Sequence, residues 1–266
     1  MIYECFYFYN ELDLLDLKLH ESGQVVDKFV LCDFKTDVRH RPQRLYYNEN
    51  KERFKEFESK IIHIIGEDDF PNLSGHGLYA ARKELYMKGL EGCSPNDIVI
   101  ASDPDVILKK EALEKLPSYN MDNMEVQFIS DWFCYYMDYL YIHCKFGFNG
   151  ANYYKNIHAG KWATIYRWKP VGALIDDAGY HFSKLGGIDA LIENITGYPH
   201  QECNIESLKN RENIQYKMDH RLAWDSNLAQ NPQPVYNHIP YDPACYPKYV
   251  NEHPEIYAKY FRGEMK

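Results

Sequence analysis

Strand-like and helix-like segments alternate through the first hundred residues of the chain. Four short, β-rich runs are predicted as strands, at residues 2–9, 25–33, 61–65 and 97–102. Helical patterns lie between them, at residues 11–21, 48–60 and 76–92, with Asn10 as the expected N-cap of the first helix. Because this alternation favours right-handed βαβ crossovers, the sequence predicts an α/β protein with a doubly wound, mostly parallel sheet.

The pattern changes after about residue 120. Aromatic, strand-like segments follow at residues 126–143 and 162–168, and helical ones at residues 187–195 and 205–210. No internal repeat or long linker divides the chain. We therefore predict one domain over residues 1–266, made of two halves, 1–120 and 121–230, and a wrapping tail rich in Pro and Tyr at 231–266.

Composition excludes several classes of function. With 30 Lys and Arg against 39 Asp and Glu, the net charge of −9 argues against nucleic acid as a partner, since phosphate binding needs clustered positive charge. No apolar run is long enough to span a membrane, and the first ten residues lack the cationic start of a signal peptide. The seven cysteines show no CxxC spacing, so we expect reduced thiols and a cytoplasmic protein.

Polar residues lie at the carboxyl ends of the four predicted strands. They are Asn10 and Glu11, Asp33, Asp68 and Asp69, and Asp103 and Asp105. Ligands of parallel α/β sheets bind beyond the carboxyl ends of the strands, where these side chains are expected to meet. The sequence therefore predicts a binding site at this edge.

Asp103 and Asp105 are separated by one residue directly after an apolar strand. Two such carboxylates can bind a hard divalent cation and leave positions for phosphate oxygens, so that the ion neutralises a diphosphate leaving group. The alternative is a solvated turn in which Asp103 caps the next helix.

Two later clusters carry further candidates. In the first, Asp176 or Asp177 is a possible general base, and His181 can complete a metal shell or hold a phosphate, unless it is an ordinary core histidine. In the second, Glu202 follows His200 by two residues and is a possible base for a sugar hydroxyl, unless it only begins a helix.

Several ordered motifs resemble glycosyltransferase family 17, the β-1,4-mannosyl-glycoprotein 4-β-N-acetylglucosaminyltransferase family with soluble bacterial and viral relatives. The segments that carry the resemblance are FYNELDLLDLKLHE, VVDKFVLCD, NKERFKEF before IIHII, ASDPD, DDAGYHFSKLGG and HQE. The resemblance implies a GT-A-like fold with an aromatic-rich acceptor half. It also implies a UDP-sugar donor, a divalent cation (Mn²⁺ or Mg²⁺), a carbohydrate acceptor and an inverting reaction.

The resemblance assigns roles residue by residue. Uridine and ribose would be held by Asn10, Glu11 and Asp33, with Arg82 nearby and Asp103 facing the ribose or the metal. The metal ligands would be Asp103, Asp105 and His181, and the catalytic residues Glu202, Asp177 and His181. Two other functions stay open. A metal-dependent nucleotide-sugar hydrolase or phosphoesterase would use the same carboxylates to activate water. A carbohydrate-binding protein without catalysis is suggested by Val106, where the family usually has Glu.

Overall fold

The alternating N-terminal segments form the parallel half of a seven-stranded sheet in a computed structural model of the chain. The structure describes residues 1–67, 70–157, 172–197 and 199–265. Within them the strands are β1 (Ile2–Tyr7), β2 (Lys28–Phe34), β3 (Ile61–Gly66), β4 (Ile98–Ala101), β5 (Val106–Leu108), β6 (Val126–Phe128), β7 (Asp131–Cys134), β8 (Tyr139–Tyr141), β9 (Gly150–Tyr153), β10 (Ala173–Ile175), β11 (Gly179–Ser183) and β12 (Tyr236–His238). The α-helices are α1 (Leu12–Glu21), α2 (Tyr46–Glu49), α3 (Gly75–Arg82), α4 (Tyr86–Gly89), α5 (Lys110–Leu113), α6 (Gly187–Gly197), α7 (Glu206–Lys209), α8 (Arg211–Asp219), α9 (Lys248–Glu252) and α10 (Pro254–Tyr257).

The seven-stranded sheet has the order β10-β6-β9-β4-β1-β2-β3. Strand β1 pairs in parallel with both β2 and β4, and β2 pairs in parallel with β3, whereas β9 runs antiparallel to β4 and β6. The chain moves outward from β1 to β3 and returns to the other side of β1 as β4. The α/β class and the parallel N-terminal half are therefore confirmed.

A second, five-stranded sheet has the order β12-β8-β7-β11-β5. In it β7 and β11 are parallel, and the other pairs of these five strands are antiparallel. The prediction of one doubly wound sheet is thus corrected to two mixed sheets. Because β4 belongs to the first sheet and β5 to the second, the turn that carries Asp103 and Asp105 lies where the chain passes between them.

Two predicted helices are broken into shorter pieces. Residues 48–60 form the end of α2 and a 3₁₀ segment, Lys51–Phe57, with a kink at Phe54 (φ −108°, ψ 19°). Residues 76–92 form α3, a 3₁₀ turn and α4. The predicted Asn10 cap is wrong: Glu11 is the N-cap of α1, without a capping side-chain hydrogen bond. The predicted strand at residues 162–168 and the acidic pair Asp68 and Asp69 lie outside the described residues.

Helix α1 is buried on two sides. Leu15 and Leu19 pack in the core of the first sheet, while Leu14 and Leu17 pack in a second cluster with Tyr257 and other residues of the C-terminal tail. Burying each such side chain contributes roughly 1.5–3 kcal/mol. The tail also supplies β12 to the second sheet.

Among the described residues, no helix has the length and apolar character that a membrane span requires.

An ionic contact fixes the tail to α1. Asp13 accepts hydrogen bonds or ion pairs from Arg53 (2.7 Å), Lys259 (2.7 Å) and the Tyr260 hydroxyl (2.8 Å). Burial alone would raise the pKa of Asp13, but these three donors hold it below its ordinary value. The carboxylate therefore stabilises three separate segments of the chain in its ionised form.

Candidate active site

A cleft of about 670 Å³ opens beyond the carboxyl ends of β1 and β4. Tyr7, Tyr9 and Glu11 line it from the end of β1, and Asp103 and Asp105 from the turn after β4. The strand order reverses between these two strands, and ligands of open α/β sheets bind at such a switch point. The binding site predicted at this sheet edge therefore coincides with the cleft.

Strand pairing places His181 against Asp105. Strand β11 runs antiparallel to β5, with His181 opposite Val106, and the N–H of Phe182 donates to the Asp105 carbonyl (2.9 Å). The His181 Nε2 atom lies 3.2 Å from Asp105 Oδ2, while its ring stacks on Trp132 (5.5 Å between centroids). The imidazole is buried, and its Nδ1 atom has no hydrogen-bond partner among the described residues.

Burial and neighbouring charges shift the pKa values of two carboxylates in the cleft. Burial alone would raise the pKa of Asp105, but His181 and then Lys184 hold it below its ordinary value. Burial, followed by the negative charge of Asp105, raises the pKa of Glu11 to about 7. Asp105 is therefore ionised at neutral pH, whereas Glu11 titrates near neutrality. Asp103 accepts a hydrogen bond from the Tyr79 hydroxyl (3.3 Å).

A buried polar network lies directly behind the Asp103 turn. The Lys18 ammonium contacts Glu4 Oε1 at 2.5 Å and Ser102 Oγ at 3.1 Å, and the Ser102 hydroxyl donates to the same Glu4 oxygen at 2.6 Å. The side chains of Lys18 and Glu4 are fully buried. Since the three residues belong to α1, β1 and the end of β4, the network fixes the position at which the Asp103 turn begins.

The opposite side of the cleft comes from the second half of the chain. Trp132 and Tyr141 contribute an aromatic wall, and Trp224 and Asp225 extend from the segment after α8. The Lys184 ammonium lies over the Trp224 ring, 4.5 Å from its centroid. An aromatic wall in this half, with Trp132 in it, was expected. Tyr141, Trp224, Asp225 and Lys184 were not singled out, because no motif distinguishes them from similar residues in the sequence.

A sequence model described as "Glycosyltransferase family 17" matches residues 1–220. The chain belongs to glycosyltransferase family 17. It is 29% identical over 119 residues to the "Beta-1,4-mannosyl-glycoprotein 4-beta-N-acetylglucosaminyltransferase" of Mus musculus, and equally to that of Homo sapiens. The match covers 42% of this chain and 22% of each relative, so the chain spans only a small part of the length of these curated relatives.

Similarity to solved structures is lower. A crystal structure of S. aureus TarS, residues 1–349, aligns with a TM-score of 0.33 and 11% identity, covering 49% of this chain and 36% of that one. At this score the alignment adds nothing to the fold described above.

The cleft brings together only part of the site that the family 17 motifs imply. Glu11, Asp103, Asp105 and His181 all line it. Arg82 instead lies almost fully buried behind the cleft, where its guanidinium donates to the Tyr7 hydroxyl (3.2 Å). Arg82 therefore supports a lining tyrosine and does not itself contribute to the described lining.

Two other residues predicted to bind the nucleotide lie off the cleft. Asp33 is fully buried, with Oδ2 3.8 Å from His63 Nε2, and burial raises its pKa although His63 partly opposes the shift. The Asn10 N–H donates to the Glu11 carboxylate at 3.1 Å. Neither Asp33 nor Asn10 is among the described residues that line the cleft.

The two predicted bases point elsewhere. Asp177 is 65% exposed and forms an ion pair with Lys109 (2.6 Å), while Glu202 is 70% exposed and bonds to His200 Nδ1 (2.7 Å). His200 lines the cleft, but Asp177 and Glu202 are not among the described residues that line it. The geometry therefore does not favour either one as a base acting inside the cleft.

The residues present fit a divalent cation that the substrate helps to hold. The described residues contain no ready-made group of three or more His, Cys, Asp or Glu side chains arranged as a metal site. Mg²⁺-type sites, however, commonly use one or two carboxylates together with substrate phosphates and water. Asp103 and Asp105 offer that donor set at the cleft, and the low pKa of Asp105 keeps it ionised for binding.

Proposed function

We propose that this chain is a metal-dependent, inverting glycosyltransferase that moves a sugar from a UDP-sugar to a hydroxyl of a carbohydrate acceptor. The observation that carries the proposal is the Asp103–Asp105 turn at the switch-point cleft, with His181 held against Asp105. The names of the curated relatives support N-acetylglucosamine, or a related hexose, as the transferred sugar.

The donor would lie across the ends of β1 and β4. Tyr7 and Tyr9 line the part of the cleft where the uracil would lie, and the Glu11 carboxyl group would contact a ribose hydroxyl. Asp103 and Asp105 would hold the cation against the diphosphate. When bound, the ion neutralises negative charge that develops on the leaving UDP.

His181 orients and shields the reacting end of the site. Its Nε2 atom bonds to Asp105, and its ring is fixed between Trp132 and Phe146, 3.8 Å from the Phe146 centroid. The Asp105 carboxylate is thereby fixed before the substrate binds, and preorganisation of this kind commonly lowers a barrier by several kcal/mol.

The acceptor would enter along the aromatic wall of Trp132, Tyr141 and Trp224. Flat aromatic faces with a polar edge suit the stacking of sugar rings. In one displacement the acceptor oxygen attacks the anomeric carbon from the face opposite UDP, which inverts its configuration.

The hypothesis of a carbohydrate-binding protein without catalysis rested on Val106. This side chain is fully buried in the core, so it gives that hypothesis no support.

UDP release from a panel of UDP-sugars tests the proposal, with Mn²⁺ or with a chelator, in the presence and absence of sugar acceptors. We expect turnover that depends on Mn²⁺ and increases with acceptor, and a loss of about 100-fold or more in Asp105→Asn. Asp122→Asn is a matched control, because Asp122 pairs with Lys155 on the surface. Turnover that acceptors leave unchanged would favour the hydrolase, and donor binding independent of metal and of Asp105 would contradict the site.

A further inference from the structure

The acceptor side of the cleft contains one carboxylate that the family motifs do not assign. Asp225 follows Trp224 in the segment between α8 and β12 and lines the same cleft as Asp103 and Asp105. Within the described residues, no hydrogen bond or ion pair engages its carboxylate, and the side chain is exposed to the cleft and solvent. A carboxylate without a fixed partner is available to accept a proton.

The backbone around Asp225 is held firmly. The buried ammonium of Lys217 donates to the Trp224 carbonyl (2.9 Å), and the Tyr135 hydroxyl donates to the Leu222 carbonyl (3.2 Å). The Ser226 N–H closes the turn onto Ala223 (3.1 Å). A general base must be positioned to within a fraction of an ångström of its proton, and this segment supplies such support.

Lys184 is a common neighbour of Asp225 and of Asp105, the proposed metal ligand. Burial lowers the pKa of Lys184, and its acidic neighbours Cys134, Asp105 and Asp225 oppose that shift. The ammonium therefore lies within electrostatic range of both aspartates, while its position over the Trp224 ring places it on the Asp225 wall. Asp105 and Asp225 are thus separate groups that share one cleft, and Lys184 lies within reach of both.

The other lining carboxylate without an assigned chemical step is on the donor side. Glu11 uses Oε2 to accept the N–H groups of Tyr9 (3.3 Å) and Asn10 (3.1 Å), and it lies near enough to Asp105 to feel its charge. A base in that position would be next to the leaving diphosphate. Displacement with inversion needs its base next to the acceptor hydroxyl instead. In the proposed binding mode the acceptor stacks on Trp224, and Asp225 is the next residue in the chain and lines the same cleft.

We propose that Asp225 is the catalytic base that removes the proton from the acceptor hydroxyl. This inference rests on the proposed function. The acceptor O–H bond breaks as its proton passes to the Asp225 carboxylate, and the oxygen forms a bond to the anomeric carbon. The bond from that carbon to the diphosphate oxygen breaks, and its electron pair leaves with UDP.

Azide tests this role because it is an anionic nucleophile that needs no base. With UDP-N-acetylglucosamine and Mn²⁺, Asp225→Asn should slow UDP release to water and to sugar acceptors by about 100-fold or more. Added sodium azide should restore UDP release in the variant, and the product should be the glycosyl azide of inverted configuration by NMR. Calorimetry should show UDP and Mn²⁺ binding within about twofold of the unchanged protein, because Asp225 is not placed on the donor.

Asp189→Asn is the matched control, since Asp189 is 84% exposed and pairs with Arg211 outside the cleft lining. It should leave every rate unchanged. Equal losses with azide and water in Asp225→Asn, no loss at all, or azide rescue in Asp177→Asn or Glu202→Gln would each overturn the assignment. If the unchanged protein binds UDP with Mn²⁺ and turns over, only the base is refuted. If it does neither with any UDP-sugar, the proposed function fails as well.

Discussion

Replacing Lys18 by Met is expected to destabilise the protein strongly, because it removes one partner of a fully buried ion pair. Lys18 and Glu4 have fully buried side chains and a contact of 2.5 Å. Ser102 shares the same Glu4 oxygen, and Glu4 Oε2 already has no hydrogen-bond partner within the described part of the chain. Met has nearly the length of Lys but no charge, so the substitution leaves the Glu4 carboxylate buried without its counter-ion.

The magnitude follows from that uncompensated charge. Removing one partner of a buried pair typically costs about 3–5 kcal/mol of unfolding free energy. For a protein of this size, 1 kcal/mol shifts the melting temperature by roughly 2–4 °C, so the expected decrease is about 6–20 °C. The double variant Glu4→Gln/Lys18→Met should recover on the order of 2 kcal/mol of this loss, because the introduced glutamine carries no charge and can still accept the Ser102 hydroxyl.

Chemical denaturation, followed by circular dichroism for both single variants and the double variant, measures the coupling directly. Lys110→Met is a suitable control, since Lys110 forms an exposed pair with Glu114 (3.8 Å) and should cost less than about 1 kcal/mol. The reasoning is refuted if Lys18→Met costs no more than this control, or if the costs of the two single substitutions simply add in the double variant.

Three further predictions concern stability. Asp13→Asn should lower the free energy of unfolding by about 2 kcal/mol near neutral pH, because three donors lose an ionised acceptor. Since the pKa of Asp13 is lowered in the folded protein, this difference should vanish as acid protonates Asp13 below about pH 4. Urea titrations at a series of pH values would show this. Glu11→Gln should raise the melting temperature at about pH 8 but not at about pH 5. The pKa of Glu11 is raised to about 7 in the folded protein, so its ionisation destabilises the fold as pH rises. A gain in melting temperature only at acid pH would contradict this reasoning. Gly89→Ala should cost about 1–3 kcal/mol because its methyl group would overlap Val30, whereas Gly77→Ala, with open space around it, should be neutral or stabilising by up to about 1 kcal/mol; equal denaturation midpoints would refute the packing argument.

The parallel half of the fold was predictable because its signals are local. Apolar runs such as 97–102 and the leucine spacing of α1 fix element type within a few residues. The second sheet was not predictable in this way, since β5, β7 and β11 pair across long separations and no periodicity states which strands will meet. The Asn10 cap failed because the helix begins one residue later than predicted: the first helical hydrogen bond runs from the Leu15 N–H to the Glu11 carbonyl.

The candidate site likewise contains residues that the sequence could predict and residues that only the folded chain brings together. Asp103 and Asp105 were predicted because two carboxylates directly after an apolar strand lie where such sheets bind ligands, and both line the cleft. Asp33 was predicted at the end of a strand, but β2 continues through it to Phe34 and it is fully buried beside His63. Burial of a polar residue depends on segments far away in sequence. Asp225 carries no motif, so only the folded chain could relate it to the cleft.

Anomalous diffraction from crystals soaked with UDP and Mn²⁺ tests the central claim most directly. The account predicts one manganese peak in contact with the carboxylates of Asp103 or Asp105 and with the UDP diphosphate, and loss of that peak in Asp105→Asn. Bound UDP with no manganese at this turn, or manganese bound only elsewhere, would contradict it.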